Sequence, residues 1–302
     1  IQVSGLTPGA ITSGDISWAL GPRINSSGRI DDADMSLRLL MTTSPEESTA
    51  LAAELDAING QRQQLTTEVY EKVAAQLVSQ SNRPLLFASD SSYPEGVIGL
   101  VAGKVSKVFY RPAVVVTAGD DVCRGSSRSI PEFDLAAALE QCGDLLLSFG
   151  GHPLAAGFAV TPENLPILEE RLVALATEQL AGLDLHPRLN IDAEVKLKAL
   201  GGDSYKEMRV LEPFGQQNPE PCFLSRGVEV VECRSFRNHE KWTSLRLRQD
   251  GVMWDGVDFR TLRGPDEVPR LIDVVYNLRL RRWGGDEVLQ AHVLDFAASA
   301  ID

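Results

Sequence analysis

A run of arginines and small hydroxyl side chains at residues 124–129 follows the apolar run at 113–116, which is predicted to be a buried strand. Side chains of a β-strand alternate between its two faces. Ser127 and Ser129 are therefore expected on one side, and Arg124, Ser126 and Arg128 on the other. Because guanidinium and hydroxyl groups bind phosphate oxygens well, the run predicts a phosphate-binding strand. A purely structural polar row is the alternative.

Two glycines precede a histidine at Gly150, Gly151 and His152, and small residues follow as far as Gly157. Paired glycines let the backbone turn sharply and approach a ligand closely. His152 is therefore predicted to lie at a bend. A lone histidine is more often a satisfied structural residue, but these neighbours favour contact with a ligand.

Residues 21–29 read Gly-Pro-Arg-Ile-Asn-Ser-Ser-Gly-Arg. Their glycines, proline and asparagine predict a tight loop before a helix. Arg23 and Arg29 flank this loop, and an arginine fork suits bidentate phosphate binding. The alternative is that both arginines pair with the acidic residues at 31–34.

Metal-binding patterns are absent from the sequence. The four cysteines form no CxxC pair, which argues against a zinc site or a disulfide framework and favours a reducing, cytoplasmic setting. The acidic group at 31–34 is predicted to begin a helix, where it favours the helix dipole. The four histidines stand apart from one another at His152, His186, His239 and His292.

The net charge of −13 argues against a protein that coats nucleic acid through bulk electrostatics. Residues 226–248 reverse the sign, with six basic and three acidic side chains, which indicates a local basic track or a solvated strand face. No apolar run approaches the roughly 20 residues that span a bilayer, and no export leader is visible. Because the chain opens on Ile1, we interpret it as a trimmed or partial chain.

The first zone, to about residue 80, is predicted to be helical. Ser44 is placed as an N-cap, Pro45 at the first helical position and Glu47 three residues after the cap. Apolar residues then recur at three-and-four spacing to about Gln80. They predict one long helix of about 50 Å, or two helices broken near residues 59–60.

The remaining two zones differ in their periodicity. From about 83 to 182, short buried strands alternate with helical patterns, which indicates an α/β layer with a central sheet. After a Gly- and Pro-containing linker near residues 182–187, five or so period-two segments predict a small β-barrel or sandwich.

Four motifs, in this order, resemble the C-terminal half of the RecJ family of DHH phosphoesterases: GPRINSSGR, RGSSRSI, FGGHPLAAGF and PFGQQNPEP. The resemblance runs from about Trp18 to the final strand. GGH followed by AAG is shared across the superfamily, whereas the first and last motifs are more specific. Ser26 and Ser27 depart from the pattern, since the family more often has two alanines there.

The resemblance implies a helical connector at 1–82, a DHH-associated substrate domain at 83–184 and an OB-fold barrel at 185–302. It implies that the GGH residues contact the nucleotide, that the SSRS strand contacts its phosphates, and that the arginines of the first motif lie near the cleft. The substrate residues expected on this basis are Gly150, Gly151, His152, Arg124, Ser127, Arg128, Ser129, Arg23 and Arg29.

OB-folds bind single strands through basic grooves and aromatic stacking. The residues expected to do so here are Arg234, Arg237, Lys241, Trp242, Arg281, Arg282 and Trp283. A tryptophan is more often part of the core than a stacking platform, so a core position is the alternative for each of the two.

The family's chemistry is two-metal hydrolysis, with Mn²⁺ or Mg²⁺ held by aspartates and histidines of an N-terminal domain. The Asp-His-His signature of that domain does not occur in this sequence. We therefore expect no catalytic or metal-binding residue in this segment, and no nuclease activity from it alone.

The function that the resemblance implies is substrate binding within a 5′→3′ single-strand DNA exonuclease of repair and recombination. Single-strand-binding protein and a repair helicase are the implied protein partners. One alternative is a DHH-type phosphodiesterase on short oligonucleotides or cyclic dinucleotides, which the β-rich third zone disfavours. Another is a non-catalytic protein that binds single-stranded nucleic acid.

Overall fold

The structure is a computed structural model that describes residues 1–80, 82–236, 239–258, 267–283 and 286–300. For residues 236, 239–242, 281–283 and 286–287 it describes the backbone only. The chain forms two compact units, one of Ile1–Ile11 with Asp15–Pro187, the other of Thr12–Gly14 with Arg188–Asp302. Among the described residues, no helix is long and apolar enough to cross a membrane.

Helices form the N-terminal part, as predicted. They are α1 (Ser13–Asp15), a π-helical turn (Ile16–Leu20), α2 (Gly21–Ile30), α3 (Asp34–Met41) and α4 (Pro45–Leu77), with 3₁₀ turns at Gln2–Ser4 and Val78–Gln80.

The prediction of a loop at residues 21–29 is wrong, because this segment is helix α2. Its proline stands in the first turn, where a helix needs no N–H donor. Ser26 and Ser27 are fully buried in α2. The Ser26 hydroxyl donates to the Arg23 carbonyl at 2.6 Å, and the Ser27 hydroxyl lies 2.7 Å from that of Ser36 in α3. The small serines thus let α2 pack closely against its neighbours.

Helix α4 begins as the sequence predicts. The Ser44 hydroxyl accepts a hydrogen bond from the Glu47 amide at 3.2 Å, and Pro45 opens the first turn. The helix continues without a break through Asn59 and Gly60, so the two-helix alternative is wrong.

The α/β part holds a five-stranded sheet in the order β1-β2-β3-β5-β4. Its elements are β1 (Leu86–Asp90), α5 (Glu95–Phe109), β2 (Ala113–Thr117), β3 (Cys123–Arg128), α6 (Leu135–Glu140), β4 (Leu146–His152), β5 (Ala155–Val160) and α7 (Leu165–Gln179). β1 and β2 are parallel, and the other neighbours are antiparallel. Apolar residues of α4 and α5 pack on one face of the sheet, and those of α6 and α7 on the other.

The glycine pair does not form the predicted bend. Gly150, Gly151 and His152 are the last residues of edge strand β4, and the chain turns one step later, at Pro153 and Leu154. The strand pairs with β5 up to His152 opposite Ala155.

The second unit is a closed five-stranded β-barrel, the architecture of the predicted OB-fold. Its elements are β6 (Ala193–Glu194), α8 (Gly202–Met208), β7 (Phe223–Phe236), β8 (His239–Gln249), β9 (Val252–Asp258), β10 (Leu271–Trp283) and β11 (Asp286–Ala298). Strand β10 pairs with β7 and thereby closes the barrel. Its interior holds buried residues such as Val228, Leu247 and Val274.

Candidate phosphate and nucleic-acid site

Strand β3 carries its polar residues on the face that packs against α5. Burial alternates along the strand, with Ser127 fully buried and Ser126 and Arg128 partly exposed. A Cβ on Gly99 of α5 would lie 2.9 Å from the Ser126 hydroxyl oxygen and 3.3 Å from Nη2 of Arg128. The glycine therefore gives these two side chains the space that they occupy.

Helix α2 brings a second arginine to the same place. A Cβ on Gly96, in the first turn of α5, would overlap the carbonyl oxygen of Arg29. Nη1 of Arg29 donates to the Gly96 carbonyl at 3.3 Å. Burial, and after it the positive charge of Arg29, lower the pKa of the Arg128 guanidinium. Arg29 lies against Gly96 and Arg128 against Gly99, about one turn further along α5, so the two arginines are neighbours.

Within the described ranges, neither Arg29 nor Arg128 forms an ion pair with a carboxylate. Arg128 donates only to the Ser127 carbonyl at 2.8 Å and to the Ser126 hydroxyl at 3.4 Å. Two adjacent guanidiniums without an acid between them are the arrangement that binds phosphate.

Arg29, Arg128 and Ser126 together are called the arginine corner. Beyond it, the same face of the sheet continues as a surface of small residues. Directly opposite residues of neighbouring strands share a face, and Arg128 is opposite Ala155, which is opposite His152. In the next row, Ser126 leads to Gly157 and then to Gly150 in the same way. A Cβ on Gly150 would meet nothing within 4 Å.

The exposed His152 therefore stands at the far edge of an open surface whose near edge is Arg128. Its backbone is fixed by Gly151, which has φ 148° and whose Cβ, if present, would overlap the Ala155 carbonyl oxygen. The following turn is held by the Ser129 amide, which donates to the Leu154 carbonyl at 2.9 Å. The geometry suits an extended ligand that places a phosphate group at Arg29 and Arg128 and runs along the surface to His152.

The structure places the other predicted residues elsewhere. Ser127 is fully buried and its hydroxyl donates to the Ala156 carbonyl at 2.9 Å, so we no longer expect it to bind phosphate. The Ser129 hydroxyl donates to the Phe133 carbonyl at 2.7 Å. Arg23 pairs with Asp56 at 2.7 Å.

Arg124 lies on the same face as Arg128 and pairs with Glu95 at 3.3 Å. Like Arg23, it therefore already has a carboxylate partner. Neither Arg23 nor Arg29 pairs with the acidic residues at 31–34, which was the alternative for the first motif.

In the barrel, only one predicted residue has a described side chain. Arg234 is exposed and pairs with Glu232. Arg237 lies outside the described residues, and so do the side chains of Lys241, Trp242, Arg281, Arg282 and Trp283, although their backbone belongs to β8 and β10.

Most arginines in the described part of the barrel pair with acids. Arg248 and Arg270 both bind Glu229, at 2.5 and 3.2 Å, and Arg279 binds Glu220 at 2.9 Å. Within residues 226–248, Arg226, Arg234 and Arg246 also lie within ion-pair distance of carboxylates, so this basic window is largely neutralised where its side chains are described.

Two kinds of site residue escaped prediction. Ser126 was assigned to the correct face but not to the site, and the glycines Gly96 and Gly99 were not singled out. Their spacing of three along α5 was the available signal, because it indicates a helix face that another backbone approaches closely.

We find no group of three or more potential metal ligands among the described residues. The residues present therefore do not fit a two-metal centre, and no step of the chemistry can be assigned to a metal bound by them.

Comparison with known proteins identifies both domains. The family model for the DHHA1 domain matches residues 64–178, and the model for the RecJ OB domain matches residues 191–295. The single-stranded-DNA-specific exonuclease RecJ of Bacillus subtilis is 30% identical over 305 residues, which cover 99% of this chain and 39% of that protein. RecJ of Thermus thermophilus is 32% identical over 288 residues, which cover 93% of this chain and 40% of that protein.

Solved structures agree with this result. The chain superposes on RecJ from Thermus thermophilus in complex with Mn²⁺ with a TM-score of 0.84 and 27% identity, covering 99% of this chain and 44% of that one. The Mg²⁺ complex of the same protein gives a TM-score of 0.83. The chain spans about 40% of the length of these two curated relatives. With a DHHA1 domain followed by a RecJ OB domain, and with RecJ relatives along nearly its whole length, the chain belongs to the RecJ family.

Proposed function

We propose that this chain is the substrate-binding part of a 5′→3′ single-stranded-DNA exonuclease that acts in DNA repair and recombination. Its DHHA1 domain holds the DNA strand and one of its phosphates, and its OB domain guides the strand. The RecJ relatives, whose names state single-stranded-DNA-specific exonuclease activity, support this proposal.

The observation that carries the proposal is the unpaired arginine corner beside the open surface. Arg29 and Arg128 offer guanidinium donors, and Ser126 adds a hydroxyl. From there, the surface of small residues leads to His152 on the same face of the sheet. Such a surface admits a sugar and a base beside the phosphate, which a closed anion pocket would not.

In the OB domain, we propose that Arg234 and the six other predicted residues named above contact DNA. The domain model supports an OB role. Because the described arginines of the barrel are mostly paired with acids, we expect base stacking to contribute more there than bulk charge.

The related RecJ structures were solved with Mn²⁺ and Mg²⁺. In the parent enzyme we propose that such ions supply the hydrolytic chemistry and that residues outside this chain hold them. This chain binds and orients the strand, and by itself it does not cleave DNA. Single-strand-binding protein and a repair helicase are its proposed partners.

Binding of the chain to labelled single- and double-stranded oligonucleotides over a salt series tests the proposal. We expect tighter single-strand binding that weakens with salt. Replacing Arg128 by Gln should weaken binding about tenfold or more, since a hydrogen bond to a charged group contributes about 1.5–3 kcal/mol. His152→Ala should also weaken it.

Arg171→Gln is the matched control, because it removes the same charge from α7 on the opposite face of the sheet, where Arg171 pairs with Asp144. Equal loss in both arginine variants would show that binding reports only net charge. Binding to the double strand as tight as to the single strand would contradict the proposal, and so would cleavage of DNA by the chain alone.

A further inference from the structure

Arg62, on helix α4, is an arginine that the proposed site has not yet included. Its Nη2 donates to the Asn59 side-chain oxygen at 2.8 Å. Its Nε is buried without a hydrogen-bond partner, and the Tyr93 hydroxyl is the only other such side-chain atom among the described residues. None of the ion pairs found in the described part of the chain involves Arg62.

The surroundings of Arg62 place it at the arginine corner. Burial, and after it the positive charge of Arg29, lower the pKa of the Arg62 guanidinium, as they do that of Arg128. Helix α2, which carries Arg29, packs against both α4 and α5, and α5 packs on β3. Arg29 of α2 thus lies near both Arg62 of α4 and Arg128 of β3, and its charge acts on each of them.

This arrangement is unfavourable when no anion is present. A partly buried arginine is normally paired with a carboxylate, and a buried donor without a partner costs free energy. Here like charges face one another instead. A phosphate has several acceptor oxygens and negative charge, so it would satisfy the Nε donor and separate the cations at once.

We propose that Arg62 is a third phosphate-binding guanidinium of this site, together with Arg29 and Arg128. The inference rests on the proposed function, since it assumes that the arginine corner binds a phosphate of the DNA strand. The alternative is a structural role, in which Arg62 only holds the Asn59 side chain within α4.

Thermal melting of the 302-residue chain in inorganic phosphate, at ionic strength held constant with chloride, separates the two roles. The wild-type chain should melt at higher temperature as phosphate is added. Arg62→Gln should melt no lower than wild type without phosphate, because it removes a like charge and an unpaired donor. Its apparent phosphate Kd should be about 10- to 100-fold weaker, the loss expected for one charge-assisted hydrogen bond.

Two further variants complete the experiment. Lys72→Gln removes the same charge from an exposed position of α4 and should respond to phosphate as wild type does. Arg62→Lys keeps the charge without the planar Nε donor, and its phosphate affinity should lie between those of wild type and Arg62→Gln.

The structural role would be favoured, and the proposal overturned, by two results together. Arg62→Gln would melt at lower temperature than wild type without phosphate, and Arg62→Lys would respond to phosphate as wild type does. Arg128→Gln tests the phosphate site as a whole, separately from the role of Arg62 within it. If it abolishes the phosphate response while Arg62→Gln keeps it, only the role of Arg62 fails. If wild type does not respond to phosphate, the phosphate site and the role of Arg62 fail together.

Discussion

Replacing Gly99 by alanine should disturb the proposed phosphate site through Ser126 and Arg128, without changing a residue that would contact the ligand. The new Cβ would lie 2.9 Å from the Ser126 hydroxyl oxygen and 3.3 Å from Nη2 of Arg128. The first distance is too short for any Cβ contact, so the hydroxyl must rotate away and the guanidinium must shift. Losing one hydrogen bond to a charged phosphate costs about 1.5–3 kcal/mol, or about 10- to 100-fold in DNA affinity.

Gly103→Ala on the same helix is the matched control. There the new Cβ would lie 3.8 Å from Cγ of Arg128, which is ordinary van der Waals contact. Alanine is favoured over glycine inside a helix by about 1 kcal/mol, so Gly103→Ala should stabilise the chain and leave DNA binding unchanged. In Gly99→Ala the same gain in folding stability is partly offset by the cost of displacing the Ser126 and Arg128 side chains.

Fluorescence anisotropy with a labelled single strand gives the affinity, and denaturant melts give the stability. The reasoning is refuted if Gly99→Ala binds DNA as tightly as Gly103→Ala while both are folded. That result would mean that Ser126 and Arg128 do not contact the strand where the structure brings them together.

Three further predictions concern stability. Gly151→Ala should destabilise the chain by about 1–3 kcal/mol or more, because its φ of 148° and the overlap with the Ala155 carbonyl both oppose a side chain, whereas Gly150→Ala should be nearly neutral in the same denaturant melts. Ser44→Ala should cost about 1 kcal/mol in thermal melts through loss of the α4 N-cap, and Ser44→Asp should restore it. Burial first, and then Arg279, lower the pKa of His292 from 6.5 to about 4, so folding favours the neutral imidazole. As the pH falls from 6.5 to 4, the chain should lose about 1–3 kcal/mol of folding stability that His292→Gln does not lose; the lower end allows for solvent screening of the partly buried ring. Denaturant melts of the two proteins that change in parallel with pH would contradict this.

The sequence predicted secondary structure correctly where local signals, such as a cap or a periodic apolar pattern, agree with the burial seen in the structure. The cap at Ser44, the long apolar stripe of α4 and the alternation along β3 each follow from a short-range rule, and the structure confirms all three elements. The period-two segments also predicted the barrel, although β7, β8, β10 and β11 extend some residues beyond their apolar pattern.

The misassignments share a different cause. At residues 21–29, glycine, proline and asparagine were taken as loop formers, but the segment is a helix whose two buried positions hold the small residues Ser26 and Ser27. At Gly151, the conformational freedom of glycine suggested a bend. In the structure it instead allows a φ of 148° near the end of strand β4.

Arg62 could not be predicted at all, since its position on a polar helix is indistinguishable in sequence from a solvated one. The role proposed for Arg62 depends on its proximity to Arg29, which lies on another helix, α2. Only the packing of α2 against α4 shows that Arg29 lies near Arg62.

Helix α4 has a consequence for how this family can vary. Leu51 and Leu55 are buried in its first half, and Val69, Val73 and Leu77 in its second half. One residue inserted between these groups would rotate everything beyond it by about 100° and advance it by about 1.5 Å, so both apolar faces could not stay buried together. The length of the helix is therefore set by what packs against its two ends. Insertions should accumulate in the loops of relatives and be excluded from this segment, unless they come in whole numbers of turns.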